Sequence, residues 1–185
     1  ILSFDPSKEA GRYDSYTEAR KRAIAVRDEQ KKNASAAQTF IENPVTTRLL
    51  EIQETIKAKK YLQAAADLRQ LLEKNPSEPR IHFNIGRVAS LMAAEMTDPS
   101  DEEKRSAKLL EAKVAYENVI RISTVQKVDP ALVSLSYVAT ARIFEFEDQK
   151  GYAIGLYDAA IKIGDVTGGG FKEAMAAKQR LLKDQ

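Results

Sequence analysis

The chain has no cysteine, and that one absence removes disulfides, thiol nucleophiles and thiolate metal sites together. It leaves the compartment open, since a cysteine-free protein suits a reducing cytoplasm and an oxidising bacterial periplasm equally. Histidine is nearly as scarce. His82 stands alone, and without a second histidine or a converging acidic pair at helical spacing no zinc motif can be assembled around it. No uninterrupted apolar run comes near the roughly 18 to 20 residues that a membrane-spanning helix needs. Nor does one sign of charge prevail. The chain carries 29 basic and 27 acidic side chains, a net charge of +2, too balanced to make nucleic acid or an anionic membrane its main partner. The opening residues, Ile1-Leu-Ser-Phe-Asp-Pro6, lack both the basic start and the apolar run of a secretion leader. Either a leader has been removed or this is a piece of a longer chain, and the piece is expected, since Ile1 to Arg12 reads as the exit from something upstream. What remains is 185 residues, 43% hydrophobic and 30% charged, the composition of an ordinary folded domain or a short solenoid.

What is present is a register. Ala64, Leu68, Leu71 and Pro76 match Ala112, Tyr116 and Val119, and again Ala153, Tyr157 and Ala160. Steps of four and seven residues keep one helical face in view, so each stretch presses a small, a bulky and a medium side chain against the same kind of neighbour. Upstream of the second stretch, Arg80-Ile-His-Phe-Asn-Ile-Gly-Arg-Val-Ala89 places the pair Ile85-Gly86; upstream of the third stand Tyr137, Ala141 and Phe144. Small residues at Gly86, Ala141, Ala64, Ala112 and Ala153 meet a physical need, because paired helices approach closely only where side chains are short. Asn75-Pro76 stops the helix before it.

Over about residues 45 to 167 this pattern resembles the tetratricopeptide repeat, a helix-turn-helix unit of about 34 residues. Ile85-Gly86 stands where that repeat carries Leu-Gly, and Tyr137, Ala141 and Phe144 take its aromatic, small and aromatic positions. The resemblance implies an all-α fold, a right-handed α-solenoid of about three helical hairpins. Its expected parts are an N-terminal helical extension or linker over 1–43, hairpins over about 44–78, 79–124 and 130–167, and a C-terminal capping helix over 168–185.

Departures from the repeat make further expectations. Counting back from Ala64 puts Glu51 where an apolar residue belongs, and a turn one residue shorter returns Leu49, Ile52 and Ile56 to the buried face. Gly86 and Ala112 lie 26 residues apart, where the repeat has about 12. The added part, 93–106, holds an Asp98-Pro99 turn and a Ser100 to Glu103 capping box, so both flanking helices are expected to lengthen by about two turns, roughly 10 Å each. The resulting protruding hairpin is a functional candidate. A shorter addition near Ser123 to Val128 is expected to open the stacking angle or to lengthen the third hairpin's first helix.

Helix boundaries are readable elsewhere. Ser15 and Glu18 form a capping box for a helix from about Tyr16 to Glu42, whose middle, Arg27 to Asn33, offers almost no apolar face and reads as a solvated strut. Asn43-Pro44 and Asp129-Pro130 each set a capping side chain before a proline at the first helical position. Gly164 is expected as a left-handed cap. In the tail, Phe171, Met175 and Leu182 are expected to cover the last hairpin.

Chemistry is sparse, and no catalytic residue, metal ligand or cofactor is expected. His82 reads as a ring packed between helices. Asp101-Glu-Glu-Lys-Arg105 reads as a solvated helix start, Glu145 and Glu147 point different ways along a helix, and Gly168-Gly-Gly170 lacks the Lys and Ser/Thr of a phosphate loop and reads as a flexible linker. The surface is left. In tetratricopeptide repeats the concave groove is lined by first-helix side chains, which implies Arg80, Phe83, Asn84, Arg87 and Leu91 from the second hairpin. From the third come Leu135, Val138, Arg142, Glu145 and Phe146. Arginines paired with Phe and Leu suit an extended or helical peptide bearing an acidic residue. Some members of the family clamp a partner's terminal carboxylate with two Lys, two Asn and one Arg. Asn84 holds one such position, but Leu135 and Ala139 stand where cations belong, so that use is not expected.

The expected function is therefore a non-catalytic protein–protein interaction scaffold, binding a peptide, a partner domain or its own upstream domain. The alternative is a helical accessory domain of a larger enzyme whose catalytic part lies upstream of Ile1. An RNA-binding helical repeat is the weaker third reading, because the net charge is near zero. Three hairpins leave an apolar edge at each end, which would allow a homodimer.

Overall fold

A computed structural model of the chain describes residues 21–32 and 43–183, and among them every regular element is a helix. The chain divides into two compact units, Ile1–Arg48 and Leu49–Gln185. In the first unit, α1 covers residues 21–32, all of them exposed. That is what a segment without an apolar face does, since it has nothing to bury. The Ser15 to Glu18 capping box, the ends of the expected Tyr16 to Glu42 helix and the Ile1 to Arg12 exit lie outside the described residues. No described helix is long and apolar enough to cross a membrane.

The helices that follow are α2 (Pro44–Lys57), α3 (Tyr61–Lys74), α4 (Pro79–Glu95), a 3₁₀ turn η1 (Pro99–Asp101), α5 (Glu102–Ser123), α6 (Pro130–Phe146), α7 (Lys150–Ile163) and α8 (Phe171–Lys183). Four of these starts use one device, a polar side chain followed by proline. Asn43 Oδ1 accepts from the Thr46 amide at 3.1 Å, Glu78 Oε1 from Arg80 at 3.2 Å, Asp98 Oδ1 from Ser100 at 2.8 Å and Asp129 Oδ1 from Ala131 at 2.9 Å. The side chain satisfies an amide that the helix cannot, and the proline has no amide to satisfy. The expected Ser100 to Glu103 box does not form. Asp98 caps the 3₁₀ turn instead, and α5 begins at Glu102 without a side-chain cap.

Two turns are built alike. Between α2 and α3, Lys59 adopts φ 58°, and between α6 and α7, Asp148 adopts φ 57°. In the first, the Lys59 and Lys60 amides reach back to the Ile56 and Thr55 carbonyls; in the second, those of Asp148 and Gln149 reach Glu145 and Phe144. Each is a Schellman closure, with its left-handed residue two positions past the last helical one. The α4 to α5 connection abandons that geometry for the longer 96–101 segment. Gly164 does have φ 94°, but its ψ of 175° is extended, so the cap is a glycine-only bend and not the left-handed helical residue expected.

Within the second unit each helix from α3 onward packs on its successor, and α4 also meets α6, as α6 meets α8. A hydrogen bond of 2.6 Å from Arg87 Nη1 to Gln53 Oε1 ties α4 to α2, and a 2.8 Å pair between Arg69 and Glu111 ties α3 to α5. The small residues sit at the closest approaches: Ala64, Ala112, Ala141 and Ala153 have no exposed surface at all, and Gly86 is buried. Bulky partners fill in around them, with Tyr116, Ala89 and Ile143 around Ala112, and Tyr157, Ala160 and Leu181 around Ala141 and Ala153. Ile52 and Ile56 are buried on α2 while Glu51 is exposed and Leu49 half-buried, so the shorter-turn register is the one adopted.

Two further expectations are corrected, for the second hairpin and for α8. The added residues of the second hairpin do not lengthen both helices by two turns: α4 has 17 residues against 14 in α2, less than one turn more, whereas α5 has 22 against 14 in α3 and α7. Most of the extra length is therefore in α5, about 12 Å of it. α6 has 17 residues against 14 in α2, close to the one turn expected from the Ser123 to Val128 addition. The added residues themselves close α5 and form a loop whose Gln126 Nε2 donates to Ser77 O at 3.0 Å, back on the α3 to α4 turn. On α8 the buried face is Ala174, Ala177 and Leu181, while Met175 and Leu182 are 38% and 50% exposed and Phe171 is half-buried. A helix pressed closely against its neighbours needs small residues at the closest contact, here Ala174 and Ala177, with Leu181 the large side chain buried beside them.

Candidate functional site

The first-helix residues expected to line a groove do not all reach a surface. Val138 is 1% exposed, packed in the core with Tyr157 and Leu181, and its Cγ2 presses on Gly170. It presents nothing to a partner, which corrects its assignment. The Gly168 to Gly170 segment is likewise no loose linker at its end: a Cβ on Gly170 would lie 2.6 Å from Val138 Cγ2, and its amide donates to the buried Ser134 Oγ at 3.1 Å.

On α4, Phe83 is half-buried with its ring edge-on to Tyr116 at 5.5 Å, and Leu91 is half-buried beyond it. Asn84 turns its amide back to Arg80 O at 2.8 Å. Arg80 is held by its own cap, with Nε 2.8 Å from Glu78 Oε1 and Nη2 2.9 Å from Oε2. This fork holds the Glu78 carboxyl below its ordinary range and raises the guanidinium. Arg87 reaches across to Gln53 on α2. Of the five, Arg80 and Asn84 are therefore engaged within their own helix and its cap, and Arg87 with α2.

At the end of α6 the assigned residues converge. Arg142, Glu145 and Phe146 line an open cleft of about 580 Å³, whose other wall is Glu173, Ala176, Ala177 and Arg180 of α8, with Tyr157 of α7 at its base. Two ion pairs cross it: Arg142 with Glu173, and Arg180 Nη2 with Glu145 Oε1 at 2.7 Å. The Tyr157 hydroxyl donates to Glu145 Oε2 at 3.1 Å, and burial followed by the Glu145 charge pushes its phenol well above the ordinary tyrosine range. Phe146 is 63% exposed, a large apolar side chain that α6 leaves facing solvent. The Arg142 side chain is 61% exposed, so its pair with Glu173 is worth at most about 1 kcal/mol and can be exchanged for another carboxylate at little cost. Glu147 turns away to Lys113 at 2.8 Å, so it and Glu145 serve different partners.

Sequence reading missed Tyr157, Glu173 and Arg180 as cleft residues. Tyr157 stood only in the core register; Glu173 and Arg180 are seven apart on one face of α8, a spacing that was there to be read. His82 is buried, and its Nε2 donates to Pro76 O at 2.9 Å. Among the described residues no three His, Cys, Asp or Glu side chains gather as a metal site would require. No model of a known protein family matches the sequence, and no curated protein matches it.

Proposed function

We propose that this chain is a short helical-repeat scaffold of the tetratricopeptide kind, a right-handed solenoid of three hairpins closed by α8, which binds a segment of another polypeptide. The face offered is that of α4, α6 and α8. The observation that carries the reading is the cleft itself: Arg142, Glu145 and Phe146, assigned to a groove from their positions in the repeat, meet α8 around one concave space of about 580 Å³. Two layers of contacts support it as well, since α2, α4, α6 and α8 touch in turn while α3 reaches α5 behind them. Exchangeable ion pairs beside an exposed aromatic ring favour a partner segment with an acidic residue next to an apolar one.

The test is selection of a random peptide library on the full chain, followed by affinity measurement of the winners. An acidic and apolar consensus is expected, with affinity lowered by Arg142→Glu while helicity and melting temperature stay as they were. Peptides that bind Arg142→Glu as well as the parent chain would place their site elsewhere and remove this reading.

A further inference from the structure

The two ion pairs that cross the cleft are unequal. Glu145 is held from two sides, its Oε1 by Arg180 Nη2 at 2.7 Å and its Oε2 by the Tyr157 hydroxyl at 3.1 Å, and its side chain is only 22% exposed. Drawing it off would leave the hydroxyl of a buried tyrosine without this acceptor, which is costly. The pair of Arg142 with Glu173 lies open instead, its side chains 61% and 41% exposed. Breaking it strands no buried group.

Which of its members a partner replaces follows from where each would be left. Glu173 lies in the first turn of α8, whose positive end favours an acid with or without Arg142. Arg142 stands four residues before the exposed Phe146 on α6, so cation and ring share one face. A second space of about 250 Å³ adjoins the ring beside Leu109 and Arg105, whose guanidinium carbon stands 5.6 Å from the ring centre and braces it. Arg142 and Phe146 are one helical turn apart, about 6 Å. Residues two apart in an extended chain point to the same side at nearly that separation, about 6.6 Å. A helical partner fits less well, because one turn with its side chains, about 5 Å long and 10 Å or more across, takes up most of a 580 Å³ space.

We infer that Glu173 is an internal stand-in for the partner's acidic residue: an extended segment displaces it from Arg142 with a carboxylate of its own, while the apolar residue two positions away lies on Phe146. The inference rests on the groove reading above and adds to it the competitor and the spacing that set its specificity.

The probes are acetyl-Ala-Glu-Ala-Leu-Ala-amide and its reversed order, acetyl-Ala-Leu-Ala-Glu-Ala-amide, titrated into the full chain and followed by NMR at the Phe146 ring and the Arg142 guanidinium. One order is expected to bind saturably and more tightly than acetyl-Ala-Glu-Leu-Ala-Ala-amide, in which the two side chains point to opposite sides. Glu173→Gln, which removes the competitor and keeps its length, is expected to tighten that peptide about two- to fivefold, as the loss of an exposed ion pair converts. The gain is expected to vanish in the background Arg142→Gln and with a peptide carrying Gln for Glu. A gain that persists in Arg142→Gln would be general repulsion between acids and overturns the inference. Equal affinity for the parent chain and Glu173→Gln overturns it too, and leaves the groove reading standing where Phe146→Ala still weakens the peptide. Peptides that move neither the Phe146 ring nor the Arg142 guanidinium would remove both.

Discussion

The ring of Tyr116 on α5 occupies the space where a side chain on Gly86 of α4 would begin: a Cβ there would lie 2.7 Å from its Cε1 and 2.9 Å from its Cδ1 and Cζ. Tyr116 cannot easily yield. It is 3% exposed and edge-on to Phe83.

Gly86→Ala is therefore expected to destabilise the chain. Alanine improves helix propensity by up to about 1 kcal/mol, while forcing a methyl into a packed core costs about 1 to 3 kcal/mol. A lowered urea midpoint measures the difference. In the background Tyr116→Leu, which removes the obstructing ring atoms, the same substitution should cost less than it does alone; equal cost in both would mean that the helices part without regard to this contact.

That pair also marks how far the sequence could be read. Small residues at fixed helical steps announced where helices touch, because only short side chains permit the approach, and the buried Ala64, Ala112, Ala141 and Ala153 lie at those contacts. Partners distant in sequence were another matter. Nothing in the vicinity of Val138 says that Gly170 will cover it, and a run of three glycines reads as freedom until Ser134 Oγ is found on its amide. Composition likewise could not divide the residues around Asp98-Pro99 between α4 and α5, since both sides favour helix equally.

The capping side chains make a stability prediction free of core effects. Asp129 is exposed, and its carboxylate accepts from the Ala131 amide at the start of α6. Asp129→Ala should cost about 1 kcal/mol and Asp129→Ser much less, read as shifts in the thermal midpoint. Equal losses for the two would mean that charge, and not the hydrogen bond, is what the helix start uses.

Alkaline and acid limits follow from the same contacts. Burial raises the phenols of both Tyr116 and Tyr157 above their ordinary value of 10.0. The folded chain then holds protons that the unfolded chain gives up, so stability is intact below pH 10 and falls as pH rises beyond it. Glu78 and Glu111 lie below their ordinary 4.5, the first through Arg80, the second because Lys108 and Arg69 outweigh the opposing effect of burial. Their contribution is present above that pH and fades as pH falls past it. Chemical denaturation across the range should show both declines, and Tyr116→Phe with Tyr157→Phe should flatten the alkaline one alone.

Phe146 and Arg142 separate binding from folding most cleanly. Both are largely exposed at the end of α6, and Phe146 contributes to the two adjoining spaces while burying little of its own surface. Phe146→Ala should change the melting temperature little, because an exposed ring loses few contacts on truncation, yet it should weaken a selected peptide by about tenfold or more, as loss of an aromatic anchor does. Arg142→Glu should act chiefly through charge, so its penalty should shrink as salt is added, whereas that of Phe146→Ala should persist. Isothermal titration at low and high ionic strength distinguishes the two. Loss of affinity with a matching loss of stability in Phe146→Ala would show instead that the ring serves the fold, and the face it stands on would no longer be the binding surface.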